Sequence, residues 1–227
     1  MNKTALLVAA VLAGSSLPAQ ENSSAYSITL DFPYVSEYVF RGISYADDAI
    51  QPSIELAVGD FYAGVWTSMP ITNQFTNEFD FYAGYGLALS DTWALDLGAT
   101  YYYYPETDSG DEQFEPFVGL TGEIGGGFSS SFYVYYETEF EVFTYQGSLG
   151  YSIPLSDAAS LDLSGTLGYV DPDTGADSYT YYGAGAVVSY ALTDSASTYV
   201  GANYASHDLD GVEDDHFYVN VGVTIGF

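Results

Sequence analysis

The feature that most constrains this chain is a strict two-residue alternation of apolar and polar side chains, repeated in segments of about ten residues along most of its length. Successive side chains of an extended strand point to opposite faces. Each segment therefore has an apolar face and a polar one, which a helix could not sort in this way. From Asn77 to Leu89, the residues Phe79, Phe81, Ala83, Tyr85, Leu87 and Leu89 fall on one face, with Glu78, Asp80, Tyr82, Gly84, Gly86 and Ala88 on the other. Trp93 to Tyr104 repeats the pattern, with Asp96, Gly98, Thr100 and Tyr102 on the polar side. In the last segment Phe217, Val219, Val221, Val223, Ile225 and Phe227 oppose Tyr218, Asn220, Gly222, Thr224 and Gly226, a face too small and polar for a packed core.

Twelve such segments are predicted, at 26–44, 52–59, 61–69, 77–89, 93–104, 113–123, 128–137, 140–153, 160–170, 179–192, 196–206 and 216–227. Ten residues is the length of a tilted strand crossing a bilayer, and an even number suits a closed barrel. Every second connection is short (Gly59-Asp60, Ser90-Asp91-Thr92, Ile124 to Gly127, Leu155 to Ala159, Thr193-Asp194-Ser195), and most of the others are longer and polar. In outer-membrane barrels the short turns face the periplasm, so both termini are expected there. The expected fold is all-β: a closed antiparallel transmembrane β-barrel of about twelve strands in meander order. Two places weaken the count and leave ten strands open: the first segment is overlong with Pro33 in mid-run, where a bulge or break fits, and the connection at 137–141 is short for an exterior loop. A soluble β-sandwich also alternates, but its outward faces would be polar. Here the apolar face carries terminal aromatics such as Trp93 and Tyr103, like the girdles of a membrane barrel.

Residues 1–19 read as a secretory signal, with Lys3 as the positive end, Ala5 to Ala13 as the apolar stretch and Leu17-Pro18-Ala19 before the cut. That apolar run is shorter than the roughly 20 residues of a membrane-spanning helix. Residues 20–227 form one domain. The absence of Cys excludes disulfides and Cys-based metal sites, and no cofactor is expected. Once Lys3 leaves with the signal, Arg41 stands alone against 31 acids, a formal charge of −30. Nucleic-acid phosphates are excluded as a partner. Either an acidic pore or a salt-adapted proteome gives such a balance.

The stretch Ser36-Glu37-Tyr38-Val39-Phe40-Arg41-Gly42-Ile43-Ser44, then Gln51-Pro52-Ser53, Phe61 to Ser68, Glu78 to Tyr85, Leu95 to Gly98 and Tyr101 to Pro105, resembles the TorF family of proteobacterial porins. The resemblance covers about a third of the mature chain and is diffuse beyond residue 115. It implies pore-like function with no settled substrate, and lends no catalytic residues. Phe227 also looks like the terminal aromatic read by the outer-membrane barrel assembly machinery, while being in phase with its lipid-facing neighbours.

Acids fall in the longer connections (Asp47, Asp48, Glu106, Asp108, Asp111, Glu112, Asp171, Asp173, Asp177 and the run Asp208 to Asp215) and on the inward phase of strands: Glu55, Asp80, Asp96, Glu115, Glu123 and Asp162. Carboxylates at a pore mouth and wall favour cations, though polar lumens need solvated side chains in any case. Asp171, Asp173 and Asp177 offer oxygen ligands for a divalent ion without EF-hand spacing. Divalent ions would also bridge the acidic loops to lipopolysaccharide. Arg41, on the phase of Glu37, is expected in the lumen, as a constriction residue or as an ion pair clamping the first strand. An outer-membrane hydrolase would need a nucleophile activated by His207 or His216, and no nucleophile motif accompanies either. The reading is a non-enzymatic porin for small hydrophilic solutes or ions, with a non-conducting structural or adhesive barrel as the alternative.

Overall fold

The computed structural model describes residues 26–72, 76–107 and 112–227. The signal at 1–19, Asp108 and Asp111 lie outside the described residues. All regular structure in the described residues is β. In chain order the strand segments are β1 (Ser27–Asp31), β2 (Tyr34–Val35), β3 (Tyr38–Phe40), β4 (Ile43–Ala46), β5 (Ala49–Ile50), β6 (Ser53–Val58), β7 (Phe61–Pro70) and β8 (Glu78–Ala88). The remainder are β9 (Trp93–Tyr103), β10 (Glu112–Gly125), β11 (Phe128–Glu137), β12 (Val142–Pro154), β13 (Ala159–Pro172), β14 (Tyr179–Thr193), β15 (Ala196–His207) and β16 (Asp215–Gly226).

From β6 to β16 each wall strand pairs antiparallel with the next, and the sheet closes where β1 pairs with β16 through Thr29↔Gly226, Leu30↔Ile225 and Asp31↔Thr224. The segments β1 and β2 are one wall strand, because Tyr34↔Val221 and Val35↔Asn220 continue the same register on β16. So are β5 and β6, whose pairing with β7 keeps one register from Ala49↔Pro70 to Ser53↔Trp66. The interruptions fall at Pro33 and Pro52, each of which lacks the backbone donor the ladder needs. The ladder is partly restored by the Gln51 amide, which donates to the Pro33 carbonyl at 2.9 Å. Fourteen segments thus make twelve wall strands, the expected number in a closed antiparallel barrel.

The first predicted strand, 26–44, is corrected. The wall strand ends at Val35, and β3 and β4 form a separate two-stranded hairpin outside the wall sheet. Its turn, Arg41-Gly42, has φ of 49° and 83°, the doubly left-handed geometry of a two-residue hairpin turn. The short connection at 138–141 is a turn in which the Glu137 carboxylate accepts from the amides of Glu139 and Phe140 at 2.8 and 2.7 Å.

The expected phases hold. Leu149, Leu167 and Phe217 project outward at 60%, 60% and 78% exposure, with Phe81, Leu97, Val200 and Val221 beside them in an apolar belt around the wall. Such a continuous surface is far beyond what a protein in water leaves uncovered and suits a lipid surround. The opposite phase, Asp96, Glu115, Thr144 and Thr224 among it, is buried inside.

Candidate functional site: the barrel lumen

The inner wall is uneven. On β7 to β11 it is rich in rings, and several of these lie over a glycine directly opposite on the neighbouring strand: Tyr62 over Gly84, Tyr82 over Gly64, Phe117 over Gly98 and Tyr133 over Gly119. Tyr181 over Gly168 and Tyr199 over Gly222 repeat the arrangement farther round. A Cβ at any of these glycines would collide with the ring. Without one, the ring lies along the wall instead of crossing the lumen. On β12 to β14 the inward positions are small, including Ser148, Gly150, Ser152, Ser164, Thr166, Gly183 and Gly185. Both Ser152 and Ser164 are exposed there, so the half of the lumen nearer the short turns is accessible along this side.

The tyrosine hydroxyls cap carboxylates. Asp96, 1% exposed, accepts from Tyr62 at 3.0 and 3.2 Å and from Tyr133 at 2.9 Å. Glu55 accepts from Tyr82 at 3.1 Å. Asp31 accepts from Tyr199 and from Thr224, both at 2.9 Å, across the seam where the barrel closes. Near the short-turn end, Asp162 accepts from Ser152 at 2.5 Å and Ser160 at 2.8 Å. A buried acid is tolerable when its lone pairs are met by donors, and the hydroxyls meet them without supplying a countercharge.

At the long-loop end the lumen holds the β3–β4 hairpin. Arg41 at its tip makes a bidentate ion pair with Glu115 on β10, Nη1 to Oε2 at 2.7 Å and Nη2 to Oε1 at 2.8 Å, and Tyr102 donates to the same carboxylate at 2.9 Å. The guanidinium stacks on Phe40 and Tyr135, 4.6 and 4.9 Å from the ring centroids. Burial pulls the Arg41 pKa down, but the Glu115 carboxylate, with Tyr102 and Tyr181 beside it, leaves it raised overall and the guanidinium charged. Tyr38 packs against Trp66 with ring centroids 5.4 Å apart, in an apolar cluster with Val35, Ala46 and Ala49. Burial first, then Glu78 and Asp80, raise its hydroxyl well above the usual range. A cavity of about 250 Å³ lies beside the hairpin, bounded by Phe40, Tyr45, Glu78, Tyr102 and Tyr104 among others.

The structure therefore brings Arg41, Glu115 and Asp80 into the same half of the lumen, and sets Glu55, Asp96 and Asp162 on the inner face toward the other end. Glu37 sits at the rim, 2.7 Å from His216 Nδ1. Arg41 is corrected in one respect: it occupies a turn within the lumen, not a wall-strand position in phase with Glu37. His207 and His216 both reach the Glu213 carbonyl, at 2.9 and 3.2 Å, tying down the last loop, while Asp208 accepts from the Thr180 amide and Asp215 from Tyr204. Among the described residues no group of three or more His, Asp or Glu is gathered to hold a metal ion, Asp171, Asp173 and Asp177 included. Sequence reasoning set Glu78 on the polar face without counting it among the lumen acids, and missed the tyrosine caps. The signal for the caps is the inward Gly facing an inward Tyr, which appears only once cross-strand register is known. Phe227 projects outward at 68% exposure, with backbone bonds to Ile28 at 2.9 and 3.2 Å.

A family model described as a bacterial protein of unknown function, Gcw_chp, matches residues 19–152. No curated protein matches the chain in sequence. Among solved structures it is similar to the KdgM porin, with a TM-score of 0.63 and 13% identity over 88% of this chain and 99% of that one. The KdgM porin in complex with disordered oligogalacturonate gives 0.62 and 12% over 88% and 99%. The NanC porin gives 0.59 and 14% over 87% and 98%. At these identities the likeness is one of fold, that of outer-membrane porin barrels.

Proposed function

This chain belongs to the Gcw_chp family of bacterial proteins of unknown function, and for this member we propose a channel of the bacterial outer membrane that passes small hydrophilic solutes by diffusion and prefers cations. In that setting the short-turn end, where the first described strand begins and the last one ends, faces the periplasm. The long-loop end faces the exterior, its acids meeting lipopolysaccharide through divalent ions. The resemblance of Ser36 to Ser44 and the following blocks to the TorF porins supports the same reading.

The observation that carries the cation preference is the charge of the lumen. Its one guanidinium is held by Glu115, whereas Asp31, Glu55, Asp96 and Asp162 are capped by neutral donors that bring no positive charge, so the field inside is negative. An anionic chain such as the oligogalacturonate bound to the KdgM porin would meet that field as repulsion, which sets the proposed cargo apart from it. Catalysis has no place in the proposal, since both imidazoles are engaged in holding the last loop.

The test is planar-bilayer recording of refolded protein under a salt gradient. The expected result is a small conductance with a reversal potential of cation sign. A potential of anion sign would refute the preference. The second reading, a non-conducting structural barrel, is favoured by the hairpin within the lumen and predicts no conductance from any variant.

A further inference from the structure

We propose that the β3–β4 hairpin is a plug across the exterior half of the channel, and that the Arg41–Glu115 ion pair is the latch that keeps it closed. This inference rests on the channel reading.

The hairpin is too short to hold its own position: it has three register pairs, Tyr38↔Ala46, Val39↔Ser44 and Phe40↔Ile43, and an isolated two-stranded hairpin is marginal at best in water. Where it lies is decided by what it docks on. Its base is fixed, since Val35 and Ala49 belong to adjacent wall strands and pack with Tyr38, Ala46 and Trp66. Its tip spans the lumen between opposite walls. On one side Arg41 reaches Glu115 on β10. On the other, Gly42 abuts β14 and β15 so closely that a Cβ there would stand 2.9 Å from the Ser206 carbonyl oxygen and from Tyr181 Cβ. Arg41 pays for this reach with a left-handed backbone that favours glycine. A strained position that persists is held by its surroundings, and here the strongest contact is the bidentate pair.

The latch is sensitive because its members depend on each other. Glu115 is 1% exposed, and removing one partner of a buried pair leaves the other charge uncompensated. With Arg41 gone, Glu115 draws in water and cations. With Glu115 neutral, the guanidinium has no carboxylate to hold it. In either case the tip is free to hinge about its packed base, opening the lumen toward the accessible side lined by Ser152 and Ser164.

Wild type, Arg41→Gln, Glu115→Gln, the swap Arg41→Glu with Glu115→Arg, and a variant with residues 38–46 replaced by a short Gly-Ser linker would be refolded and recorded in planar bilayers. Retention of the barrel is checked by β-type circular dichroism and heat-dependent gel mobility. Arg41→Gln and Glu115→Gln should each raise single-channel conductance roughly two-fold or more, diverging in selectivity: the first more cation-preferring than wild type, the second less. The swap should return conductance toward wild type, and the linker variant should set the upper limit. If the folded linker variant conducts no better than a conducting wild type, the plug is overturned and the channel reading stands. If no folded variant conducts, the channel reading fails and the plug with it. Should a single substitution prevent folding, the linker variant alone still decides.

Discussion

Asp96 shows how this lumen keeps acids buried without cations. Two phenols from strands on either side donate to it, and each phenol reaches it by lying over a glycine, Tyr62 over Gly84 and Tyr133 over Gly119. Gly119→Ala should therefore act twice, by pushing the Tyr133 ring off the wall and by stripping a donor from Asp96. Overpacking of this kind costs about 1–3 kcal/mol, to be read as a lower midpoint in urea unfolding of the refolded barrel. Gly165→Ala, on the same sheet but with open space around its would-be Cβ, should leave the midpoint unchanged. Equal effects at both sites would show that the ring–glycine contact contributes nothing. The inward acids Glu55, Asp80, Asp96, Glu115 and Asp162 were legible in the sequence because strand parity alone assigns a face. The tyrosine caps on Glu55, Asp96 and Glu115 were not, since a hydroxyl cap depends on the register between strands, which parity leaves open.

At the scale of elements, the wall strands were legible and the hairpin was not, for one physical reason. Wall strands separate lipid from lumen and so alternate, whereas Tyr38-Val39-Phe40 sits wholly inside the barrel and continues the β-prone run of Tyr34-Val35 without a change of composition. The available signal was the two-residue turn Arg41-Gly42, but Arg is not among the residues that usually occupy its first position. Pro33, where the overlong strand called for a bulge or a break, is the break: it interrupts a wall strand whose register continues unshifted past it. Gly42 is where the hairpin's geometry is tightest, with φ of 83° and the wall within contact distance. Gly42→Ala should cost about 1–3 kcal/mol at that site, localised to the tip. The expected signature is faster amide hydrogen exchange at Val39 to Ser44 with unchanged exchange in β12 to β14. A uniform rise across all strands would mean that the hairpin is an integral part of the barrel's stability and not a separately docked element.

Over the whole molecule the acids divide into two populations that salt treats differently. Asp47, Glu106, Asp173, Asp177 and Asp210 are exposed in the longer connections, where the Debye length of about 10 Å at 0.1 M falls to about 3 Å at 1 M. Asp96 and Glu115 are enclosed by protein and capped or paired, and screening reaches them poorly. Asp31, Glu55 and Asp162 lie between these extremes, on an inner face with partial access to solvent. A salt-adapted proteome would enrich the first population alone, while an acidic pore requires the lumen to contribute. Cation preference should therefore weaken as mean salt rises from 0.1 to 1 M, because loop charges at the mouth drop out. It should level off above zero, because the wall carboxylates remain. Replacing Asp173, Asp177 and Asp210 with Asn should remove most of the salt-dependent part and leave that plateau, whereas Glu55→Gln with Asp31→Asn should lower the plateau itself. Selectivity that vanishes at 1 M in the wild type would place the whole effect in the loops and leave the lumen's acids without a part in choosing the ion.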